Sequence, residues 1–129
     1  MGIDLVAVAD VELAVARFGD RYLRRVLAPA ERDGQTPMTT RTLAGRIAAK
    51  EATFKVLRPG SSDPFPWTDI VVARDSSGAP RVQLSGHVAR RAATEGVREV
   101  AVSITHAGGF SAAAATAIVH PPEGEGVPA

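Results

Sequence analysis

The 129-residue sequence contains no cysteine, which excludes disulfide bridges, thiolate metal sites and cysteine nucleophiles. Aromatic residues make up only 5% of the chain, and the formal net charge is +1. A chain so close to neutral has no overall attraction to nucleic acid or to an anionic membrane. No apolar run approaches the roughly 20 residues that a membrane-spanning helix needs. Because the N-terminus also lacks a basic leader, we expect a soluble cytoplasmic protein.

The order of predicted elements indicates an α+β fold. A strand over 2–8 precedes helical segments within 11–28, for which Asp10 and Asp20 are the expected N-caps, and Thr39 or Thr40 is the expected cap of a long helix over 41–59. A hairpin over 68–85, a short helix over 86–97 and strands over 98–106 and 110–119 follow, although the alanines of the last segment favour helix by propensity. We expect one domain over 1–119, an antiparallel, hairpin-rich sheet packed on the long central helix, and a flexible tail over 120–129.

The long helix carries a charge within its apolar face. Leu43, Ile47, Phe54 and Leu57 follow helical spacing, and the same progression puts Lys50 between them. One interpretation is that the lysine stem packs in the core while its ammonium reaches water. The other is that this face of the helix meets an anion.

Two carboxylates stand where burial is expected. Asp4 lies in the first strand and Glu51 lies beside the apolar face of the long helix. A buried carboxylate is costly unless a cation or hydrogen bonds satisfy it. Two acids from different elements could share one hard divalent ion such as Mg²⁺. Alternatively, Asp4 ends a strand and Glu51 pairs with Lys55 one turn further on.

Basic residues accompany the acids. Arg46, Lys50 and Lys55 lie on the same helix as Glu51, as a site for a polyphosphate requires. His106 ends a strand just before a glycine pair, on the opposite strand face from Thr105. It could bind a phosphate, act as the general base of a hydrolase, or be satisfied by a loop carbonyl. No nucleophile elbow, Rossmann fingerprint or P-loop occurs.

Together these segments resemble the 4′-phosphopantetheinyl transferases of the holo-[acyl-carrier-protein] synthase type. The resemblance is carried, in order, by "GIDLV" (2–6), "RIAAKEATFK" (46–55) and "SITH" (103–106), with further similar text at "WTDI" (67–70) and "GHVARRAATEGV" (86–97). It extends to about residue 119. Family members move the phosphopantetheine arm of coenzyme A onto a serine of an apo acyl carrier protein and release 3′,5′-ADP.

The resemblance implies a role for each residue of the set. Asp4 and Glu51 would be catalytic and would hold Mg²⁺, with Mn²⁺ as the alternative. Lys55, also catalytic, would contact the pyrophosphate of coenzyme A, and Lys50 would contribute to the same site. The nucleotide end would be bound by Arg46 and His106, with Thr105 beside them. Either Glu51 or a water on the metal would take the serine proton.

The resemblance also implies partners. By this resemblance the protein would be a homotrimer with active sites between subunits, as short members of the family are. It would meet an acidic carrier protein largely through the first helical region. Four arginines in that region would steer the encounter: Arg17, Arg21, Arg24 and Arg25. The alternative is a solvated basic face. Neither fatty-acid nor polyketide synthesis is favoured as the source of the carrier.

Three features depart from the family pattern, one of them "HAGGF" (106–110), which is looser than the usual text after the histidine. Ile47 stands where the family usually has Phe, and "RPGSSDPFPW" (58–67) replaces a glycine-rich segment. The chain could instead be a non-catalytic coenzyme A or nucleotide-binding module of a synthase complex. It could also be a small metal-dependent phosphohydrolase that uses the same acids.

Overall fold

The computed structural model describes residues 1–32, 38–57, 65 and 67–121. The strands are β1 (Gly2–Ala7), β2 (Ile70–Arg74), β3 (Pro80–Leu84), β4 (Val97–Ala107) and β5 (Phe110–Val119). The helices are α1 (Val8–Phe18), α2 (Asp20–Val26), α3 (Pro29–Arg32), α4 (Thr40–Leu57) and α5 (Gly86–Thr94), with a 3₁₀ turn at Trp67–Asp69. The predicted α+β fold is confirmed.

Strands β1, β5 and β4 form an antiparallel sheet in that spatial order, while β2 and β3 form a separate hairpin. In the larger sheet Asp4 pairs with Ala113, which pairs in turn with Ile104. The next row contains Val6, Ser111 and His106. Since directly paired residues of antiparallel strands share a face, Asp4 and His106 lie on the same face at opposite edges of the sheet.

Helix α4 packs across this face through very small residues. Ala48, Ala52 and Ala115 are completely buried in one apolar cluster, and Ala113 is nearly so. At the edge of the sheet a Cβ on Gly2 would lie 2.2 Å from the Ala52 carbonyl oxygen, so only glycine allows β1 to approach α4 this closely. The alanine run of β5 forms a strand although alanine favours helix. Its small side chains give a flat surface, and the packing of α4 on that surface outweighs the helix propensity.

The other face of the same sheet carries exposed apolar side chains. Ile3 and Leu5 are 61% and 62% exposed. They pair with Ala114 and Ala112, and these pair in turn with Ser103 and Thr105. This surface, defined by those six residues, is called the open sheet face below.

Several local predictions are resolved by the helix ends. Thr39 caps α4, as expected, because its hydroxyl accepts a hydrogen bond from the Thr42 amide at 3.1 Å. The cap predicted for Asp10 is wrong: α1 begins at Val8, directly after β1, and has no side-chain cap. Asp20 lies inside α2, after Gly19, and does not cap it either. Pro29 begins a further short helix, α3, that the sequence pattern did not indicate.

The predicted end of the long helix near Pro59 and most of the predicted tail lie outside the described residues. Within the described part of the chain, every helix is too short or too polar to cross a lipid bilayer.

Candidate active site

Asp4 of β1 is paired with Lys55 of α4. Its Oδ1 accepts a hydrogen bond from Lys55 Nζ at 2.7 Å, and the same ammonium reaches the Ile3 carbonyl at 3.0 Å. The Asp4 side chain is only 11% exposed, whereas that of Lys55 is 53% exposed. Lys55 therefore pairs with Asp4 of β1, and the alternative pairing with Glu51 is not the one seen.

Glu51 lies one helical turn before Lys55 and beside Asp4. The pKa of Glu51 is raised to about 8, first by burial and then by the neighbouring Asp4 carboxylate, against the lowering effect of Lys55. Asp4 is therefore near enough to raise the pKa of Glu51, which is the proximity that a shared cation requires. They lie together at the β1 edge of the sheet.

This pair of acids has the character of a site for a hard divalent cation. Asp4 Oδ2 is buried and has no hydrogen-bond partner in the described structure. The raised pKa of Glu51 shows that a second negative charge beside Asp4 is unfavourable without a cation. Two carboxylates suit Mg²⁺, which keeps waters and substrate phosphates as its other ligands. No group of three or more acids and histidines that could hold a metal ion occurs among the described residues.

A second group of candidate site residues lies at the β4 edge of the sheet. A pocket there is lined by Thr42, Gly45, Arg46, Val72, Arg74, Pro80, Ile104 and His106. Gly45 makes room for the imidazole, because a Cβ at this position would lie 2.9 Å from His106 Cε1. His106 Nδ1 lies 2.7 Å from the hydroxyl of the fully buried Ser111.

The electrostatics of this pocket are strongly positive. Burial lowers the pKa of Arg46, with Glu31 opposing the change and Arg74 adding to it. The pKa of His106 is also lowered, by burial first and then by the charges of Arg41 and Arg74. A pocket that holds these cations together is suited to a phosphate group.

Lys50 has a different place from the one predicted. It is fully buried, and its ammonium donates to Glu31 Oε1 at 2.6 Å, to the Val26 carbonyl at 2.7 Å and to the Trp67 carbonyl at 2.8 Å. An ammonium has three protons, and all are used inside the protein. The expected contact of Lys50 with coenzyme A therefore requires correction: Lys50 is a structural residue, and the anion that the apolar face of α4 meets is Glu31.

Thr105 is separated from the pocket as well. It is exposed on the open sheet face, because neighbouring residues of a strand point to opposite faces and His106 faces α4. A contact between Thr105 and the nucleotide bound at His106 of the same chain is not supported by this arrangement.

The four arginines of the predicted carrier surface, Arg17, Arg21, Arg24 and Arg25, are all exposed on α1 and α2. Exposed apolar side chains accompany them, with Leu13 69% and Phe18 49% exposed. The guanidinium of Arg17 lies 5.4 Å from the centre of the Phe18 ring. The surface therefore combines positive charge with apolar contact area.

Sequence reasoning missed two residues near the site. Glu31 is almost fully buried, accepts hydrogen bonds from the Ala28 and Val72 amides, and lies 3.7 Å from Arg46. Tyr22 of α2 is close enough to Glu51 that burial and the charge of that acid raise the tyrosine pKa. A lysine in an apolar face calls for a buried acid, but no spacing rule identified the partner 19 residues away.

Residues 1–115 match the family model of the 4′-phosphopantetheinyl transferase superfamily. The chain belongs to this superfamily. It is 38% identical over 113 residues to a holo-[acyl-carrier-protein] synthase of Solidesulfovibrio magneticus, covering 88% of this chain and 92% of that protein. A second synthase, from Halorhodospira halophila, is 41% identical over 109 residues, covering 81% and 85%.

Solved structures agree with this family membership. The holo-[acyl-carrier-protein] synthase of Helicobacter pylori, determined in complex with coenzyme A, superposes with a TM-score of 0.76 at 30% identity, over 91% of this chain and 98% of that one. The resemblance stated from the sequence is therefore confirmed, and the chain is a transferase of the phosphopantetheinyl superfamily.

Proposed function

We propose that this enzyme transfers the 4′-phosphopantetheine group of coenzyme A to a serine hydroxyl of an apo acyl carrier protein. The serine oxygen forms a bond to the phosphorus that carries pantetheine, the bond from that phosphorus to the bridging oxygen breaks, and 3′,5′-ADP leaves. The observation that carries the proposal is the convergence of Asp4, Glu51 and Lys55 at one edge of the sheet, in a chain whose family is the phosphopantetheinyl transferases.

Asp4 and Glu51 are the residues that would hold Mg²⁺ in this enzyme. Bound there, the cation would polarise the attacked phosphoryl group and neutralise charge on the 5′-phosphate of the leaving 3′,5′-ADP. The unpaired Asp4 oxygen and the raised pKa of Glu51 support this assignment, since both indicate a site that favours added positive charge. Glu51 in its deprotonated form is also a base within the site for the serine proton.

Lys55 is placed to neutralise the pyrophosphate of coenzyme A. Its side chain is half exposed while its ammonium rests against Asp4, so it can meet a phosphate without leaving the site. This contact would strengthen as charge moves to the leaving group, which is the condition for a contribution to rate and not only to binding.

Arg46 and His106 would bind phosphates at the nucleotide end of coenzyme A. Both line the pocket at the β4 edge, and Arg74 adds a third basic side chain that sequence reasoning did not select. Glu31 limits the freedom of Arg46 through the ion pair at 3.7 Å.

The two halves of this site lie at opposite edges of the sheet in one chain. Asp4 on β1 and His106 on β4 are separated by β5, which is roughly 10 Å at the usual strand spacing. We propose a homotrimer whose active sites lie between subunits, with the acids from one copy and Arg46 and His106 from its neighbour. The open sheet face supports self-association, because it exposes Ile3 and Leu5 on a flat surface of small residues.

Mixing two inactive variants tests this arrangement. Asp4→Ala lacks an acid and His106→Ala lacks the nucleotide contact, so each homotrimer has no complete site. Each site between subunits takes its acids from one copy and its histidine from the neighbouring copy. If subunits exchange freely, random mixing of the two variants in equal amounts therefore restores about one site in four. No recovery, in a mixture shown by native mass spectrometry to contain mixed trimers, would contradict sites between subunits.

The arginine surface on α1 and α2 would receive the carrier protein. Acyl carrier proteins are acidic, and a positive surface raises the rate of productive encounter. The apolar side chains of Leu13 and Phe18 offer the contact area that charge alone does not supply. Tyr22 lies between this surface and Glu51, so the docked serine would arrive next to the acids.

Intact mass spectrometry of an apo carrier protein, incubated with enzyme, coenzyme A and Mg²⁺, tests the proposed function. The expected result is a mass gain of one phosphopantetheine group with stoichiometric release of 3′,5′-ADP. Release of inorganic phosphate without a carrier would instead indicate a phosphohydrolase. Binding of coenzyme A without turnover on carriers from both fatty-acid and polyketide synthesis would indicate a binding module.

A further inference from the structure

Ser111 is a fully buried hydroxyl on β5, next to a run of alanines at 112–115. Its Oγ lies 2.7 Å from His106 Nδ1 and 3.3 Å from the carbonyl oxygen of Arg41 at the start of α4. It therefore connects the histidine of the nucleotide pocket to the helix that carries Arg46.

The Arg41 carbonyl favours one direction for these hydrogen bonds. A hydroxyl has one proton to donate, whereas a carbonyl oxygen can only accept. With the Ser111 proton donated to the Arg41 carbonyl, Ser111 accepts the 2.7 Å hydrogen bond from His106 Nδ1–H. A neutral His106 in this arrangement carries its proton on Nδ1 and has a bare lone pair on Nε2.

The bare nitrogen is on the pocket side of the ring. Nε2 lies 3.5 Å from where a Gly45 Cβ would stand, and Gly45 lines the pocket together with Arg46 and Arg74. A lone pair there would face the oxygen of a bound phosphate, which can only accept hydrogen bonds. Protonation at Nε2 converts this unfavourable contact into a charge-assisted hydrogen bond.

The charged groups around the ring favour a neutral histidine before the anion arrives. Arg41 and Arg46 approach from α4 and Arg74 approaches from β2, and all are cations. Burial, Arg41 and Arg74 lower the pKa of His106 accordingly. A phosphate among these cations cancels their effect on the ring and restores a higher pKa.

We propose that Ser111 is a positioning residue that holds His106 in its Nδ1–H form, so that phosphate binding is coupled to uptake of one proton from solvent at Nε2. The inference rests on the proposed function, which places a phosphate of coenzyme A at Arg46 and His106. It adds a specific consequence: nucleotide affinity falls as pH rises, by up to about tenfold per pH unit above the pKa of His106 in the free protein.

The tautomer is measured first, in the protein without nucleotide. Long-range ¹H–¹⁵N correlation spectra at pH 8 are expected to show Nδ1–H for His106 in the wild type and a shift toward Nε2–H in Ser111→Ala. Ser111→Thr, which keeps a hydroxyl, is expected to retain the wild-type tautomer. Should Ser111→Ala lose its fold, wild type and Ser111→Thr still decide the question. An Nε2–H wild type would overturn the inference.

Proton uptake is measured next, by calorimetric titration of 3′,5′-ADP and of coenzyme A in two buffers that differ in ionisation enthalpy. Wild type is expected to take up close to one proton near pH 7.5. Ser111→Ala is expected to take up less and to bind several-fold more weakly, with a raised KM for coenzyme A and little change in kcat. In a His106→Gln background, removal of the Ser111 hydroxyl is expected to have no further effect.

The outcomes distinguish a failure of the role of Ser111 from a failure of the proposed function. Wild-type binding without proton uptake, or an equal effect of Ser111→Ala with and without His106, overturns the role of Ser111 and leaves the proposed function intact. A wild type that binds neither nucleotide overturns both, while the spectra still report on the hydrogen bond between Ser111 and His106.

Discussion

Lys50 Nζ lies 2.6 Å from Glu31 Oε1, with both side chains almost completely excluded from water. This ion pair joins α4 to α3. Lys50 also donates to the Val26 carbonyl of α2 and to the Trp67 carbonyl in the 3₁₀ turn, and Glu31 also accepts from the Val72 amide of β2. The ion pair therefore fixes α2, which carries Arg21, Arg24 and Arg25, against α4, which carries Glu51.

Breaking this pair is expected to be costly. Lys50→Met leaves Glu31 buried without its main counter-charge, and loss of one partner of a buried pair typically costs about 3–5 kcal/mol. Urea denaturation should show a correspondingly lower free energy of unfolding. Arg81→Met, which breaks the exposed pair with Asp75, is the control and should change stability little. Equal effects in the two variants would contradict a structural role for Lys50.

Glu51 gives the metal-free protein a characteristic pH dependence. Its pKa is raised from 4.5 to about 8, so between these values the folded state holds a proton that the unfolded state has released. The contribution of Glu51 to stability therefore falls as pH rises through this window. Thermal denaturation in chelator should show a smaller loss of Tm from pH 5 to pH 8 in Glu51→Gln than in wild type.

Mg²⁺ should reverse that loss. A cation binds the deprotonated acids, so the rise in Tm on adding Mg²⁺ is expected to be larger at pH 8 than at pH 6, and absent in Asp4→Asn. An identical rise in Asp4→Asn would show that Asp4 does not bind the cation.

Gly2 controls the approach of β1 to α4. In Gly2→Ala the new Cβ would meet the Ala52 carbonyl at 2.2 Å, and backbone must move to relieve it. We expect a loss of about 1–3 kcal/mol in the free energy of unfolding, typical of overpacking. Because Asp4 follows on the same strand, the Tm rise with Mg²⁺ should shrink as well. A stable variant with normal Mg²⁺ response would show that β1 has room to shift.

The arginine surface should act on the carrier and not on coenzyme A. Arg21→Glu together with Arg25→Glu is expected to raise the KM for carrier protein by about tenfold or more at low salt, with the difference shrinking at high salt. The KM for coenzyme A should stay within twofold of wild type, because this surface does not contact coenzyme A. Arg98→Glu, exposed on β4, is the matched control. A similar effect from Arg98→Glu would indicate general charge attraction.

Much of the fold could be predicted from local sequence patterns and from the order of the motifs. The strand pattern around Asp4, the helical spacing from Leu43 to Leu57 and the Thr39 cap follow from rules that act within a few residues. A cation shared by Asp4 and Glu51 was one of two interpretations of a pair of buried-looking acids, and it remains a prediction.

What the sequence did not show depends on contacts between distant segments. Lys50 was assigned to the pyrophosphate site of coenzyme A, because its partner Glu31 lies 19 residues away in a helix with no periodic signal. Asp10 was taken as a cap because no local rule indicates that α1 follows β1 without a turn. Ser111 looked like a strand residue of no consequence until the register placed it opposite His106.

The most direct test of the central claim is the carrier-protein mass assay with metal withdrawn and restored. Wild type should modify the carrier fully with Mg²⁺, stop in excess chelator and recover when Mg²⁺ is added back. Asp4→Ala and Glu51→Ala should be inactive in all three conditions while their circular dichroism spectra match the wild type. Full turnover by either variant, or by wild type in chelator, would contradict a metal held by Asp4 and Glu51 as the basis of the transfer.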